Sequence, residues 1–185
     1  MGFHTFDPAE TDRLEDPTRF RFCSREELLQ QLPTGPESTV LDIGSGTGYY
    51  TDEIAPFVGH LFALDLQPEM HHQYRERGVP ANVSLVTADA EQLPVRSGSF
   101  DASVSTMTFH ESTTEESLAE LCRVIADDGR AVFVDWSRAG RGEAGPPRSE
   151  RYDAETATTL LKEAGFSLSI AAERSETFMI VAQPE

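Results

Sequence analysis

The sequence predicts an α/β fold: a mostly parallel sheet with helices on both faces and an antiparallel hairpin at its C-terminal end. Three features carry that reading. Apolar runs alternate with helix-like stretches from residue 39 to 136. The first run leads into a turn with glycine at every second position, "VLDIGSGTGYY" (40–50). The tail holds two strand-like runs separated only by "ERSE". Strands alternating with helices form parallel units joined by right-handed crossovers. Two strands with a short connection must instead pair antiparallel.

The elements follow in order. "SREELLQQL" (24–32) opens on a capping box, Ser24 with Glu27, and continues in leucines as a short helix. "LPTGPES" reads as a loop and "TVLDIG" as a buried strand. A helix over "YYTDEIAPFV" is interrupted late by Pro56. "HLFALDL" is the second strand. Pro68 starts and Gly78 ends the helix "PEMHHQYRER", as the opposite preferences of proline and glycine at helix ends require. "NVSLVTA" and "FDASVST" are the third and fourth strands. "TTEESLAELCRVIADDG" reads as a helix capped by Thr113 with Glu116, its apolar face formed by Leu118, Leu121, Cys122 and Ile125, and ended by Gly129. "RAVFVDW" is the fifth strand. A loop rich in Gly, Pro and Arg (137–151) precedes the helix "DAETATTLLKEAG" and the closing hairpin.

At 185 residues the chain has the length of one domain with a proper core. It contains no run of about 18 apolar residues, so no membrane span is expected. The acidic start, "MGFHTFDPAE", lacks the basic and apolar regions of a signal peptide. Cys23 and Cys122 are far apart, without metal-site spacing, and read as small apolar residues in a reducing cytoplasm. Asp and Glu number 32 against 15 Lys and Arg, a net charge of −17, and Lys162 is the one lysine. An acidic, lysine-poor chain matches adaptation to multimolar salt, as in halophilic archaea. There the Debye length shrinks to about 3 Å at 1 M and self-repulsion is screened. The alternative is chance composition in a mildly acidic protein. The negative field disfavours nucleic acid and anionic membranes as partners, although concentrated salt weakens that exclusion.

Gly44, Gly46 and Gly48 let a ligand touch backbone and leave N–H groups of the following helix start unpaired. A dinucleotide loop has the pattern G-x-G-x-x-G; here Tyr49 stands where its third glycine belongs. Asp42, two residues before Gly44, offers nothing to an anion but suits a cationic ligand. Asp65, at the end of the second strand, stands about 20 residues on from Gly44, where an acid takes ribose hydroxyls. Asp89 ends the third strand, suited to an exocyclic purine amine. Three acids at successive strand ends outline a nucleoside ligand with positive charge, not a pyrophosphate.

The motifs "VLDIGSGTG", "ALDL", "ADAEQLP", "SFDASVSTMTFHE" and "LCRVIADDGRAVFVDW", in this order, resemble the class I S-adenosylmethionine-dependent methyltransferases. The nearest-looking branch is the small single-domain enzymes related to ubiquinone/menaquinone methyltransferases. The resemblance implies a Rossmann-like, seven-stranded sheet in one domain: an N-terminal arm and helix (1–38), a cofactor-binding core (39–136), and a loop, helix and hairpin (137–185). It implies S-adenosyl-L-methionine as cofactor. Gly44, Gly46 and Gly48 would line its methionine portion, and Asp42 would meet its amino group through water. Asp65 would hold the ribose hydroxyls, with Leu66 beside the adenine. Asp89 would take the adenine amine and the Ala90 N–H a ring nitrogen. The Thr106 carbonyl would face the amino group, and Tyr49 would pack on the carboxypropyl chain. Asp42 as a mere loop cap and Tyr49 as core remain the alternatives.

Methyl transfer from a sulfonium is an in-line displacement in which the protein mainly positions and desolvates. A base is needed only where the acceptor must lose a proton, and His110 in "TMTFHE" is the candidate, with packing as the alternative. His71 and His72 are neighbours on a helix, point about 100° apart, and read as surface residues. His4 and Phe6 belong to an arm that folds over substrate in such enzymes. Arg138, Arg141, Arg148 and Arg151 read as a solvated, mobile linker, the alternative being recognition of an anionic acceptor. The expected activity is methyl transfer to a small molecule. RNA or protein methylation is the alternative within the class, and a non-catalytic cofactor-binding sensor or an NAD-dependent oxidoreductase the alternative outside it. Acceptor identity and oligomeric state are not encoded in any recognisable motif.

Overall fold

The computed structural model describes residues 6–185, with backbone alone at 8, 9 and 12. Seven strands form one sheet in the order β3-β2-β1-β4-β5-β7-β6. They are β1 (Gly35–Ile43), β2 (Val58–Asp65), β3 (Val83–Thr87), β4 (Phe100–Thr106), β5 (Ile125–Trp136), β6 (Phe166–Glu173) and β7 (Thr177–Pro184). β1 pairs in parallel with β2 and β4, and β4 with β5, whereas β7 runs antiparallel to both β5 and β6. This is the class I methyltransferase arrangement. The sheet order reverses at β1, so the connections leaving β1 and β4 run to opposite sides and a crevice opens beyond their carboxyl ends.

Among the described residues, six α-helices cover the sheet: α1 (Arg25–Leu29), α2 (Tyr49–Ile54), α3 (Pro68–Arg77), α4 (Phe109–Ser112), α5 (Glu115–Val124) and α6 (Ala154–Glu163). Because strand side chains alternate faces, neighbours in β1 and β5 enter different cores. Leu41, Ile43, Ala131 and Phe133 join Phe109 of α4, Leu118 and Leu121 of α5, and Leu161 of α6. Val40, Val132 and Val134 join Leu28 of α1, Tyr50 and Ile54 of α2, and Tyr74 of α3. The two layers together fix which strand residues can reach which helix.

Three boundaries differ from the sequence expectation. β1 begins at Gly35, four residues before the apolar run, because Gly35 pairs with Val58 and Gly59 lies against the Pro36 carbonyl where no side chain fits. α5 ends at Val124, not Gly129, and its capping box joins Thr114 to Ser117. β5 starts at Ile125; its register with β4 shifts between Phe100 and Ala102, and Gly129 is squeezed between Ile125 and the Asp101 carbonyl, where a Cβ would sit 2.9 Å from oxygen. Gly129 therefore relieves a bulge and caps no helix.

Gly48 opens α2 with φ +91°, and a Cβ there would fall inside the Tyr74 ring. Left-handed strain and overpacking act together at this position. Gly48→Ala should lower stability by about 2–3 kcal/mol in a urea titration; an unchanged midpoint would mean that Tyr74 moves aside at no cost.

Candidate active site

The crevice beyond β1 and β4 is a cavity of about 830 Å³. Its floor is the loop after β1. Gly44 (φ +68°) runs so close to Thr108 that a Cβ would overlap that side chain, and Thr108 Oγ1 donates to the Gly44 carbonyl at 3.3 Å. Gly46 (φ +56°) donates its N–H to Asp65 Oδ2 at 2.8 Å. Asp65 Oδ1 accepts from Gln67 N–H at 2.9 Å, which turns the chain from β2 into α3. One carboxylate thus fixes two backbone segments at the tips of neighbouring strands. Burial raises the Asp65 carboxyl above its usual range, and the two N–H donors oppose that rise.

Of the residues singled out in the sequence, Gly44, Gly46, Tyr49, Asp65, Leu66, Asp89, Ala90, Thr106 and His110 all line this cavity. Asp89 is exposed, with Oδ1 accepting from Glu91 N–H at 3.0 Å. Leu66 is 55% exposed, an apolar side chain held open to the site. The Thr106 carbonyl accepts from Thr108 Oγ1 at 3.2 Å, across Met107, whose φ of +59° is rare for a residue with a side chain. Two residues lie off the cavity wall. Gly48 packs against Tyr74, as described. Asp42 is 1% exposed beneath α2, where Oδ2 accepts from Thr51 Oγ1 at 2.5 Å and Oδ1 has no partner. Burial pushes Asp42 up to about 7 despite the Thr51 bond, with Asp65 adding to the rise.

The N-terminal arm completes the walls, with Arg19 and Gln67 among residues that the sequence did not single out. Residues of the arm from Phe6 to Phe22 line the cavity, and His4 lies outside the described residues. Gln67 Nε2 donates to the Phe6 carbonyl at 3.0 Å, and Phe6 N–H donates to Glu111 Oε2 at 3.4 Å. Arg19 stacks its guanidinium over Tyr49 (5.4 Å) and Tyr50 (5.3 Å). Its Nε and the Tyr49 hydroxyl are both buried without a partner. The place of Arg19 over Tyr49 and Tyr50 could not be read locally; only the folded arm brings it there.

His110 sits on α4, 4% exposed, with its backbone N–H 2.6 Å from Asp135 Oδ2 and ring Nδ1 2.8 and 3.0 Å from the two carboxylate oxygens. Asp135, in "VFVDW" near the end of β5, is fully buried and also accepts the Trp136 N–H at 2.7 Å. Burial pulls the His110 imidazole down, but Asp135 and then Glu111 outweigh it, and the net shift is upward. Glu111 is pushed up to about 7 by burial.

Two further expectations need correction. His71 is no surface residue: it is fully buried, with Nδ1 2.8 Å from Thr87 Oγ1 and Nε2 3.5 Å from Ser45 Oγ, whereas His72 is exposed. The helix turns His71 inward under the glycine loop, and burial lowers it to about 4. In the loop at 137–151, Arg138, Arg141 and Arg148 are exposed as expected, but Arg151 is not. Arg151 is 2% exposed, donates to the carbonyls of Ser137, Ala144 and Pro146, and lies 3.8 Å from Glu176 and over the Trp136 ring. Glu176 in turn accepts from Gly142 and Glu143 N–H. Residues 144–147 so held form a cavity wall, while none of the four arginines lines it.

Residues 41–133 match the family model described as a methyltransferase domain. Over 99 residues the chain is 40% identical to a malonyl-[acyl-carrier protein] O-methyltransferase of Geobacter sulfurreducens, covering 51% of this chain and 37% of that protein. Over 115 residues it is 35% identical to a ubiquinone/menaquinone biosynthesis C-methyltransferase of Ectopseudomonas mendocina, covering 57% and 44%. The chain thus matches about two-fifths of the length of these relatives. The crystal structure of a SAM dependent methyltransferase from Aquifex aeolicus superposes with a TM-score of 0.87 at 28% identity, covering 98% of this chain and all of that one. Fold, cavity and matches agree: the chain belongs to the class I S-adenosylmethionine-dependent methyltransferases.

The buried Asp42 makes a pH prediction. A carboxyl whose pKa rises on folding stabilises the protein fully below its unfolded value, and that contribution is lost as pH climbs through the folded value near 7. Between pH 5 and 7.5 the melting temperature of the wild type should therefore fall relative to that of Asp42→Asn. Parallel curves would show that Asp42 is not protonated in the fold.

Proposed function

We propose that the chain transfers a methyl group from S-adenosyl-L-methionine to a small-molecule acceptor, working as a single domain. The observation that carries this reading is the convergence of the glycine loop, Asp65 and Asp89 on one cavity that the chain's own arm also lines. A volume of about 830 Å³ is within the usual range for small ligands. With residues 6–22 over one side and 144–147 on another, the cavity favours a compact acceptor over a folded RNA or protein. The relatives named for O- and C-methylation do not cover enough of the chain to carry their acceptors over.

The polar groups fit the cofactor. Asp65 keeps carboxylate lone pairs free beyond its two backbone bonds and would receive the ribose hydroxyls. Asp89, exposed at the tip of β3, would accept from the adenine amine, with Ala90 N–H on a ring nitrogen and Leu66 against the base. The cationic amino group would meet the Thr106 carbonyl, whereas Asp42 is sealed beneath α2, off the cavity wall. The unpaired Nε of Arg19 and the Tyr49 hydroxyl suit the methionine carboxylate, beside the cavity-lining backbone of Gly44 and Gly46. When bound, the cofactor supplies a methyl group already activated on a sulfonium. The protein contributes alignment and exclusion of water, and His110 is placed to take a proton from the acceptor. The acidic, lysine-poor surface supports a cytoplasm of concentrated salt as the working environment.

Asp65→Ala should abolish heat on mixing with S-adenosylhomocysteine in concentrated KCl; retained affinity would remove the ribose assignment. His110→Ala should leave that affinity unchanged while slowing S-adenosylhomocysteine release in the presence of acceptor by about 10²–10⁴-fold. An unaltered rate would reduce His110 to packing.

A further inference from the structure

We propose that Asp135 is the positioning residue and Glu111 the second charge partner of His110, so that the methyl acceptor is a hydroxyl, thiol or carbon acid that sheds its proton as it is methylated. The inference rests on the functional reading above and names the acceptor class for it.

An ionised carboxylate only accepts hydrogen bonds. Asp135 therefore requires a proton on Nδ1 of His110 and leaves Nε2 as the basic nitrogen. The clamp is doubled, because the same carboxylate also holds the His110 backbone N–H, and Trp136 N–H orients the carboxylate itself. On the other side, Glu111 Oε1 lies 3.6 Å from Nε2, close enough to stabilise an imidazolium but too far to cap the lone pair with a hydrogen bond. His110 and Glu111 both line the cavity, whereas Asp135 does not. A methyl acceptor without a removable proton has no use for a base, yet the site buries three ionisable groups together at a cost in desolvation. Stabilising a transient imidazolium explains their company.

In the proposed step the acceptor's X–H bond breaks, its electron pair stays on X, and the proton passes to His110 Nε2. The acceptor's pair forms the bond to the methyl carbon as the carbon–sulfur bond breaks with its pair on sulfur. His110 then returns its proton to water, directly or by way of Glu111. The groups acting on this imidazole are Asp135 and Glu111, which favour its charge, and Arg151, which opposes it. Asp65 and Asp135 act on Glu111, together with the Phe6 N–H. Tyr152 is within the field of Asp135.

The test is a nitrogen-15 NMR titration of the histidine rings in the full chain, with His110 assigned from His110→Gln. Above its midpoint His110 should carry its proton on Nδ1 and none on Nε2. Glu111→Gln should lower the midpoint and leave that tautomer intact. Asp135→Asn should lower it by about one unit or more and mix the tautomers. If Asp135→Asn fails to fold, the wild-type tautomer and the Glu111→Gln shift still decide. An Nε2–H tautomer, or a midpoint that Glu111→Gln leaves in place, overturns the proposal. So does turnover of a thioether acceptor at a rate unchanged in His110→Ala. Calorimetry with S-adenosylhomocysteine on the same samples separates the two readings. Lost binding with the expected tautomer and shifts sinks the donor assignment but supports the His110 arrangement.

Discussion

The bond between Gly46 N–H and the Asp65 carboxylate, 2.8 Å across the tips of β1 and β2, is the contact on which the site depends. It holds a backbone that no side chain could follow, with left-handed φ at Gly44, Gly46 and Gly48. The other oxygen of the same carboxylate starts α3 through Gln67. Together with the Ser45 N–H bond to the Leu64 carbonyl at 2.9 Å, it sets the distance between the loop after β1 and the end of β2. His71 adds a second tie from below, reaching Ser45 of the loop and Thr87 of β3.

Depth separates acids that look alike in the sequence. Asp42, Asp65 and Asp89 stand at or near three neighbouring strand ends, yet one is sealed under α2, one is tied to backbone N–H groups, and one meets solvent. Low dielectric makes the difference matter: it lifts Asp42 to about 7 and strengthens every pairing that remains. The same physics governs the His110 cluster on the opposite face of the sheet. Asp135 shares the face of Phe133 in β5, and that face carries α4. A chain with a net charge of −17 thus keeps a few carboxylates out of water, where single hydrogen bonds decide their state.

Much of the architecture was legible because local rules agreed with one another. The Ser24–Glu27 capping box, the Pro68 start and Gly78 stop of α3, and the short turn before β7 all form where residue chemistry places them. The end of α5 was not. "IADDG" continues the helical pattern, but pairing of Ile125 with Phe100 draws it into the sheet. His71 misled for a related reason, since neither of two adjacent histidines declares which one a helix will turn inward. Arg151 sits in a stretch with the composition of a linker. Its burial follows from carbonyls and from Glu176, which lies 25 residues further along the chain.

The sequence alone determined the order of strands and helices, the glycine turn at 44–48, and the set of acids at strand ends, because periodicity, caps and glycine requirements are local. Only the tertiary structure decided which groups meet. It seated Asp42 beneath α2, brought Arg19 over Tyr49 and Tyr50, and joined Asp135 to His110 across 25 residues. Such pairings depend on sheet order and on the face each residue takes, and no spacing along the chain records either.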